Sequence, residues 1–125
     1  MDWVVQIGLV ELAVGGLLGW AMVAQLESPQ WVKRLGIVAP QRIRQVHLDY
    51  VMMGLILIGV GLAVPDLPDA LAAYLVFGTV VNPFLFVPPA FRPEVQQRLW
   101  YRTLAVISFL GVSSGLVAAS IVGPG

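Results

Sequence analysis

The sequence predicts an all-α membrane protein, with a single domain over residues 1–125 that folds as a bundle of four transmembrane helices. Of the 125 residues, 58% are hydrophobic and 11% are charged, whereas a soluble domain carries about 25% charged residues. Four apolar stretches approach the roughly 20 residues of helix that a bilayer requires. They lack the alternating pattern of a membrane β-barrel. We therefore expect four helices that cross the lipid bilayer.

The first predicted helix covers about residues 3–25 and has a tryptophan near each end. Trp3 and Trp20 are placed where the amphipathic indole ring favours the membrane–water interface. Because no basic residue precedes this helix, we expect it to be retained rather than cleaved as a secretory signal peptide. In the connector that follows, residues 26–45, the segment WVKRLG is expected to lie along the membrane surface as a short amphipathic helix.

The second and third predicted helices, about residues 46–64 and 70–88, are separated by a short turn. Pro65 and Pro68 mark this turn, since proline cannot continue the hydrogen-bond ladder of a helix. A polar loop then leads to the fourth predicted helix, about residues 99–122. No segment between the helices is long enough to form a second domain.

The basic residues are confined to one side of the predicted bundle. All seven lie in the first connector or around the start of the fourth helix: Lys33, Arg34, Arg42, Arg44, Arg92, Arg98 and Arg102. Loops rich in lysine and arginine stay in the cytoplasm. We therefore expect loops 26–45 and 89–98 to be cytoplasmic and both termini to lie outside, with the chain in a bacterial cytoplasmic membrane.

Charge balance and cysteine content exclude several kinds of site. The seven basic residues are matched by seven acidic ones, for a net charge of zero, so no nucleic acid is expected as a partner. The sequence has no cysteine, which removes disulfides, thiolate metal sites and cysteine nucleophiles. Any chemistry must therefore use the few polar residues within the apolar spans.

Polar residues within the spans are the candidates for function, because charged groups in lipid are costly and usually functional. There are four ionisable candidates and two uncharged ones: Glu11, His47, Asp49 and Arg102, with Asn82 and Tyr101. From a rise of about 1.5 Å per residue, all except Glu11 are expected in one layer near the cytoplasmic face. Glu11 is expected closer to the outer face, level with Ser113 or Ser114.

His47 is the single histidine, and it shares a helix face with residues that have no side chain. At about 100° per residue, Gly54 and Gly61 lie on the same face of the second helix. An imidazole above a flat groove suits a large planar ligand, and imidazole is a usual axial ligand of haem iron. The alternative is that His47 only reaches the headgroup layer, as polar side chains near an interface do.

The other polar residues also have a structural and a functional interpretation. Asp49 points away from His47, so we expect it to meet Arg102 or Asn82 from another helix. Asn82 precedes a proline, and its amide could instead bond the backbone carbonyl that the proline leaves free. Glu11 is either a buried acid held by hydrogen bonds or a carboxylate that binds a substrate in a proton-coupled way.

Three segments resemble the hydroxylaminobenzene mutases, a family of small membrane proteins. HLDYVMMG, residues 47–54, resembles the signature of their second helix, with a histidine, a hydrophobe, an acid and then a glycine seven residues after the histidine. GTVVNP, residues 78–83, is similar to their third helix, and QIGLVELAVGGLLG, residues 6–19, is similar to their first. The more distant styrene oxide isomerases share the histidine and the glycine.

The resemblance implies a small four-helix membrane isomerase that binds haem b and, as in the styrene oxide isomerases, forms a homotrimer. Ferric iron in these proteins acts as a Lewis acid and no electrons are consumed. A small hydrophobic epoxide opens to an aldehyde, or an aryl hydroxylamine rearranges to an aminophenol. By this match His47 would be the axial ligand of the iron, with Gly54 at the cofactor, and Asn82 would line the substrate pocket.

Two positions depart from the family pattern. Met53 stands where the family has an asparagine, and Phe86 falls where the styrene oxide isomerases have a tyrosine. The missing groups would have held or polarised the substrate oxygen. Either another polar side chain of the spans replaces them, namely Asp49, Tyr50 or Glu11, or the substrate differs from those of the two families.

Two other functions are compatible with the sequence. A chain of this length with four helices and Glu11 in LVELAVGG also resembles the small multidrug exporters, which use a membrane-embedded glutamate for proton-coupled transport. Their antiparallel dimers need loops with little charge bias, whereas here every basic residue lies on one side. The third possibility is a non-catalytic membrane subunit whose polar residues only specify packing.

Overall fold

The protein is all-α, as predicted. The computed structural model describes residues 2–125, and within that range it contains helices and no strand. In chain order these are α1 (Asp2–Glu27), α2 (Pro29–Arg34), α3 (Pro40–Ala63), α4 (Asp69–Phe84), α5 (Val87–Phe91), a 3₁₀-helix (Pro93–Gln97) and α6 (Leu99–Val122). Four segments are long and apolar enough to cross a membrane: α1, α3, α4 together with α5, and α6. The predicted fold class is confirmed.

The connector after α1 contains the short helix that WVKRLG predicted. Pro29 occupies the first turn of α2, where its missing N–H has no intrahelical partner to lose. Val32 is buried while Trp31 is exposed, so α2 is amphipathic. Gly36 follows α2 with a φ of 89°, a left-handed conformation that glycine adopts without strain. The chain then turns and starts α3 at Pro40 rather than at residue 46.

Prolines break the third membrane segment, so the predicted continuous helix over 70–88 is wrong in its last turn. Pro88 and Pro89 have no N–H to donate to the carbonyl groups of Phe84 and Leu85, and α4 ends at Phe84. The carbonyl oxygen of Leu85 instead accepts a hydrogen bond from the hydroxyl of Tyr101 on α6 at 2.5 Å. A side chain of the neighbouring helix thus replaces the bond that proline cannot make.

The four long helices form two closely packed pairs. α1 packs along α3, and α4 packs along α6, with a smaller interface between α3 and α4 joining the two pairs. Leu57 of α3 and Leu75 of α4 are completely buried where the pairs meet. The α1–α3 pair and the α4–α6 pair are therefore the two building blocks of the bundle.

The two connectors that carry the basic residues meet at one end of the bundle. The N–H of Val38 donates to the carbonyl oxygen of Ala90 at 2.8 Å. Arg42 Nη2 donates to Oε1 of Gln96 at 3.3 Å. We call this the basic end, and the predicted orientation makes it the cytoplasmic one.

Glycine allows the backbones within each pair to touch. A Cβ on Gly54 would lie 2.7 Å from the carbonyl oxygen of Gly8 and 2.8 Å from the backbone nitrogen of Leu12. In the other pair, a Cβ on Gly111 would lie 2.7 Å from the carbonyl oxygen of Tyr74. Small residues at such crossings let membrane helices approach closely and gain van der Waals contact. This contact matters because lipid provides no hydrophobic driving force for helix association.

Gly54→Ala is expected to destabilise the protein, because its methyl group would collide with the backbone of α1. Overpacking of this kind costs about 1–3 kcal/mol of unfolding free energy. The matched control is Gly59→Ala on the same helix, where a Cβ would meet nothing within 4 Å in the described chain. Denaturant titration in detergent measures both variants, and equal free energies would show that the glycine contact is not required.

Candidate functional site

His47 is half-buried on α3 and is held by a hydrogen bond to α1. Its Nδ1 lies 2.5 Å from the carbonyl oxygen of Gly15. Because a carbonyl oxygen can only accept, Nδ1 carries the hydrogen in this contact and the lone pair of the neutral ring is on Nε2. The hydrogen bond to Gly15 therefore leaves Nε2 as the ring nitrogen that can bind a metal.

The imidazole ring of His47 lies against α1 at Gly19. A Cβ at this position would be 3.3 Å from Cε1 and 3.9 Å from Nε2, so a larger residue would press on the ring. Gly16 is exposed, and a Cβ there would meet nothing within 4 Å among the described residues. Gly16 and Gly19 together leave the surface of α1 beside His47 without side chains.

The flat groove predicted on the His47 face of α3 is filled by α1. Gly54 packs against the backbone of Gly8, and Gly61 is buried. Gly54 is therefore not open to a cofactor, contrary to the prediction. The residue lacks a side chain because a neighbouring helix, rather than a planar ligand, occupies that space.

Glu11 is almost completely buried, with 3% of its surface exposed. Its neighbours include Thr79 of α4 and Asp49 of α3. Neither carboxylate oxygen has a hydrogen-bond partner within residues 2–125. The Thr79 hydroxyl is close, but it donates its hydrogen to the carbonyl oxygen of Val76 at 2.9 Å. Glu11 is thus a buried acid in a membrane helix whose oxygens remain free to interact.

The neighbours of Glu11 come from α3 and α4 rather than from α6, because α1 packs mainly against α3 and Glu11 faces Thr79 of α4. Its predicted depth, level with Ser113 or Ser114 of α6, stays a prediction. The Ser114 hydroxyl turns back to its own helix and donates to the carbonyl oxygen of Gly111 at 3.4 Å. The pairing of the helices, rather than depth alone, therefore decides the neighbours of Glu11.

Asp49 also has an unpartnered oxygen, and its predicted contact with Arg102 or Asn82 is wrong. Oδ2 is enclosed and takes no hydrogen bond from any described residue. Arg102 is exposed on the outer surface of α6. The side-chain oxygen of Asn82 accepts from the Ser108 hydroxyl of α6 at 3.4 Å instead. Asp49 and Glu11 are consequently the two acids of the spans that keep free oxygens.

The remaining candidates use their polar groups to join helices. The hydroxyl of Tyr50 donates to the carbonyl oxygen of Val80 on α4 at 2.9 Å. Tyr101 bonds the end of α4, as described above, and Asn82 bonds α6. The predicted layer of polar residues is therefore mainly a set of hydrogen bonds between neighbouring helices.

Of two residues near the acids, Gly8 was identified from the sequence only as a match to the first helix of the mutases, and Thr79 was not singled out. A signal for Gly8 was present, because the buried residues of α1 are Val4, Gly8, Glu11 and Gly15, a spacing of three and four that defines one helix face. Thr79 carried no such signal, since a threonine hydroxyl can bond its own helix at any depth.

The described residues provide one imidazole as a metal ligand. No group of three or more His, Cys, Asp or Glu residues that could hold a metal ion occurs within residues 2–125. Haem does not need such a group, because the porphyrin supplies most of the iron ligands and the protein supplies an axial one. His47, with an oriented Nδ1–H and a free Nε2, fits that requirement.

No protein-family model, curated protein or solved structure matches this chain. The resemblance to the hydroxylaminobenzene mutases and the styrene oxide isomerases stays a prediction that rests on the segments quoted above.

Glu11→Leu is expected to stabilise the protein, because it removes two buried oxygens without partners and keeps a side chain of similar size. An unsatisfied buried polar group costs about 1–3 kcal/mol, so the unfolding free energy should rise by about that amount. Glu27→Leu, at the exposed end of α1, is the control and should change it by less than about 0.5 kcal/mol. A loss of stability in Glu11→Leu alone would show that the carboxyl group makes a stabilising contact.

Proposed function

We propose that the protein is a haem-dependent membrane isomerase that rearranges a small hydrophobic epoxide or aryl hydroxylamine. The observation that supports this best is the contact between His47 and Gly15. Histidines that bind metals almost always donate their second ring N–H to a carbonyl or carboxylate group, which selects the tautomer and orients the ring. The 2.5 Å contact from Nδ1 to the Gly15 carbonyl oxygen has this form and leaves Nε2 available to a ligand.

His47 would hold haem b through Nε2. When bound, the ferric haem would supply a Lewis acid for the substrate oxygen, and the rearrangement would consume no electrons. The surface of α1 at Gly16 and Gly19 has no side chains, which suits a planar group beside the imidazole. This surface takes the role that the sequence assigned to Gly54 and Gly61.

An epoxide opens to an aldehyde by an internal hydride shift, whereas the rearrangement of an aryl hydroxylamine also needs a proton to leave the ring carbon that receives the oxygen and a proton to reach the nitrogen. Asp49 is half-buried, and the enclosed oxygen is Oδ2 alone, so the carboxyl group can both accept a proton and reach a molecule at the bundle surface. Glu11 is enclosed, and the hydroxyl of Tyr50 is used in a bond to Val80. We therefore assign proton transfer to Asp49, with Tyr50 and Asn82 holding α3, α4 and α6 in position.

The haem would lie on the outer face of the α1–α3 pair, in a homo-oligomer. The groove over Gly54 leaves no room for a porphyrin between these two helices. Asp49 lies about 200° around α3 from His47, so both can serve one substrate only if they come from different copies of the chain. A homotrimer, as in the styrene oxide isomerases, meets this condition, and a small hydrophobic substrate would enter it from the bilayer.

The absorption spectrum of the detergent-purified protein, prepared with hemin, tests haem binding. We expect a Soret band that His47→Ala removes or shifts, because the axial nitrogen is lost. His47→Gly should regain the wild-type band when imidazole is added, since free imidazole can enter the space that the side chain leaves.

Asp49→Asn is the matched control and should keep the wild-type spectrum, because it preserves the imidazole and its bond to Gly15. Conversion of aryl hydroxylamines, which needs proton transfer, should be lost in this variant. A wild-type protein that takes up no hemin, or a band that is indifferent to His47, would overturn the proposal.

Proton-coupled transport is a second candidate, and the burial of Glu11 without a partner favours it. Under the proposed isomerase function, proteoliposomes with a pH gradient should accumulate no more ethidium than empty liposomes. Glu94 is an exposed acid of the basic end and serves as the control. Ethidium uptake that is lost in Glu11→Gln and kept in Glu94→Gln would show that the protein is a transporter rather than an isomerase.

A further inference from the structure

An apolar cavity lies at the basic end of the α1–α3 pair, beneath helix α2. Its volume is about 60 Å³, and its walls are apolar side chains of α1, α2, the connector between α2 and α3, and the start of α3, together with Trp31 and Gln25. A wider groove of about 390 Å³ adjoins it and shares Gln25, Val32 and Pro40 with its walls. We call the two together the α2 cavity. Their combined size is in the range of small-molecule pockets, roughly 300–1,000 Å³.

The α2 cavity lies one helical turn from His47. Ile43 forms part of its wall and precedes His47 by four residues on the same face of α3. Met22, also in the wall, is three residues beyond Gly19, which the imidazole ring contacts. Side chains on a helix lean toward its N-terminus, so His47 leans toward Ile43 and the cavity.

Gln25 lines both parts of this cavity, and its side chain carries one unpartnered polar atom. Its Oε1 is buried and accepts no hydrogen bond from the part of the chain that the structure describes. A buried acceptor without a donor is costly, so a molecule that donates to it is favoured. Water is a poor choice in the inner cavity, because an ordered water needs two to four polar partners and the walls there are otherwise nearly apolar, whereas Lys33 lines the outer groove.

We propose that the α2 cavity binds a small apolar molecule with one hydrogen-bond donor, such as a phenol, an alcohol or an aryl amine. The side-chain amide of Gln25 would turn toward the cavity so that Oε1 accepts from the donor, and the apolar body would lie against Met22, Trp31 and Ile43. Its role as a station for substrate or product next to His47 rests on the proposed function, whereas the binding itself does not.

Fluorine NMR of 4-fluorophenol and 4-fluorotoluene tests the proposal on haem-free protein in lipid nanodiscs. The two probes have nearly the same apolar body, but only the phenol donates a hydrogen bond. Empty nanodiscs correct for partition into lipid. We expect saturable binding in which the phenol is held about three- to tenfold more tightly, the ratio that one neutral hydrogen bond supplies.

Gln25→Leu should remove this preference, so that the two probes bind within about twofold of each other. Gln6→Leu, an exposed glutamine of the same helix, should keep it. Ala24→Phe, which fills the cavity, should abolish saturable binding of both probes, and thermal unfolding verifies that each variant is folded. Equal binding of the probes to the wild type, a preference that survives Gln25→Leu, or no binding above empty nanodiscs would overturn the proposal.

The outcome is independent of the haem spectrum, because no haem is present. Phenol binding by a protein that takes up no hemin would support the proposed ligand site and contradict the proposed isomerase function. A Soret band without phenol binding would do the reverse.

Discussion

The backbone contact between Gly8 and Gly54 sets the position of the other groups on the α1–α3 pair. Two antiparallel helices that touch at one pair of glycines have a fixed register. Gly15 lies seven residues after Gly8, and His47 lies seven residues before Gly54, which is about two helical turns in each case. The register therefore brings the Gly15 carbonyl oxygen to Nδ1 of His47. The orientation of the imidazole follows from a contact two turns away.

The α4–α6 pair shows how the chain satisfies its backbone in lipid, where no water can bond a free carbonyl group. Prolines at the end of α4 remove donors, and Tyr101 supplies one to Leu85 from α6. In a second such bond, the hydroxyl of Tyr50 on α3 donates to the carbonyl oxygen of Val80 on α4. Tyrosine at these positions therefore has a structural explanation, and the hydroxyl of Tyr101 supplies the donor that the prolines remove at the helix break.

Hydropathy and proline were sufficient to predict the four spans, but not every helix end. The turn at Pro65 and Pro68 was predicted, and α3 ends at Ala63 while α4 starts at Asp69. The early start of α3 at Pro40 was missed because hydropathy detects the part of a helix that can cross lipid, and a polar helical turn outside it leaves no apolar signal.

The site was harder to predict, because periodicity gives the direction of a side chain but not what it faces. Gly54 does share a face with His47, yet a porphyrin and a packed helix both require a surface without side chains. Asp49 does point elsewhere, but its neighbour depends on how α6 is turned, and Arg102 faces outward. Only the arrangement of the helices distinguishes these cases.

The buried polar atoms that lack a partner within residues 2–125 all belong to α1 and α3. These four atoms are the two carboxylate oxygens of Glu11, Oε1 of Gln25 and Oδ2 of Asp49. By contrast, the hydroxyl groups of Ser108 and Tyr101 of α6 make hydrogen bonds. Each such atom costs about 1–3 kcal/mol, and an apolar side chain of similar size would avoid that cost. Departures from good packing chemistry are expected where function requires them. The α4–α6 pair is therefore best understood as the scaffold, and the α1–α3 pair as the half of the bundle that carries the costly polar atoms, where the proposed chemistry would take place.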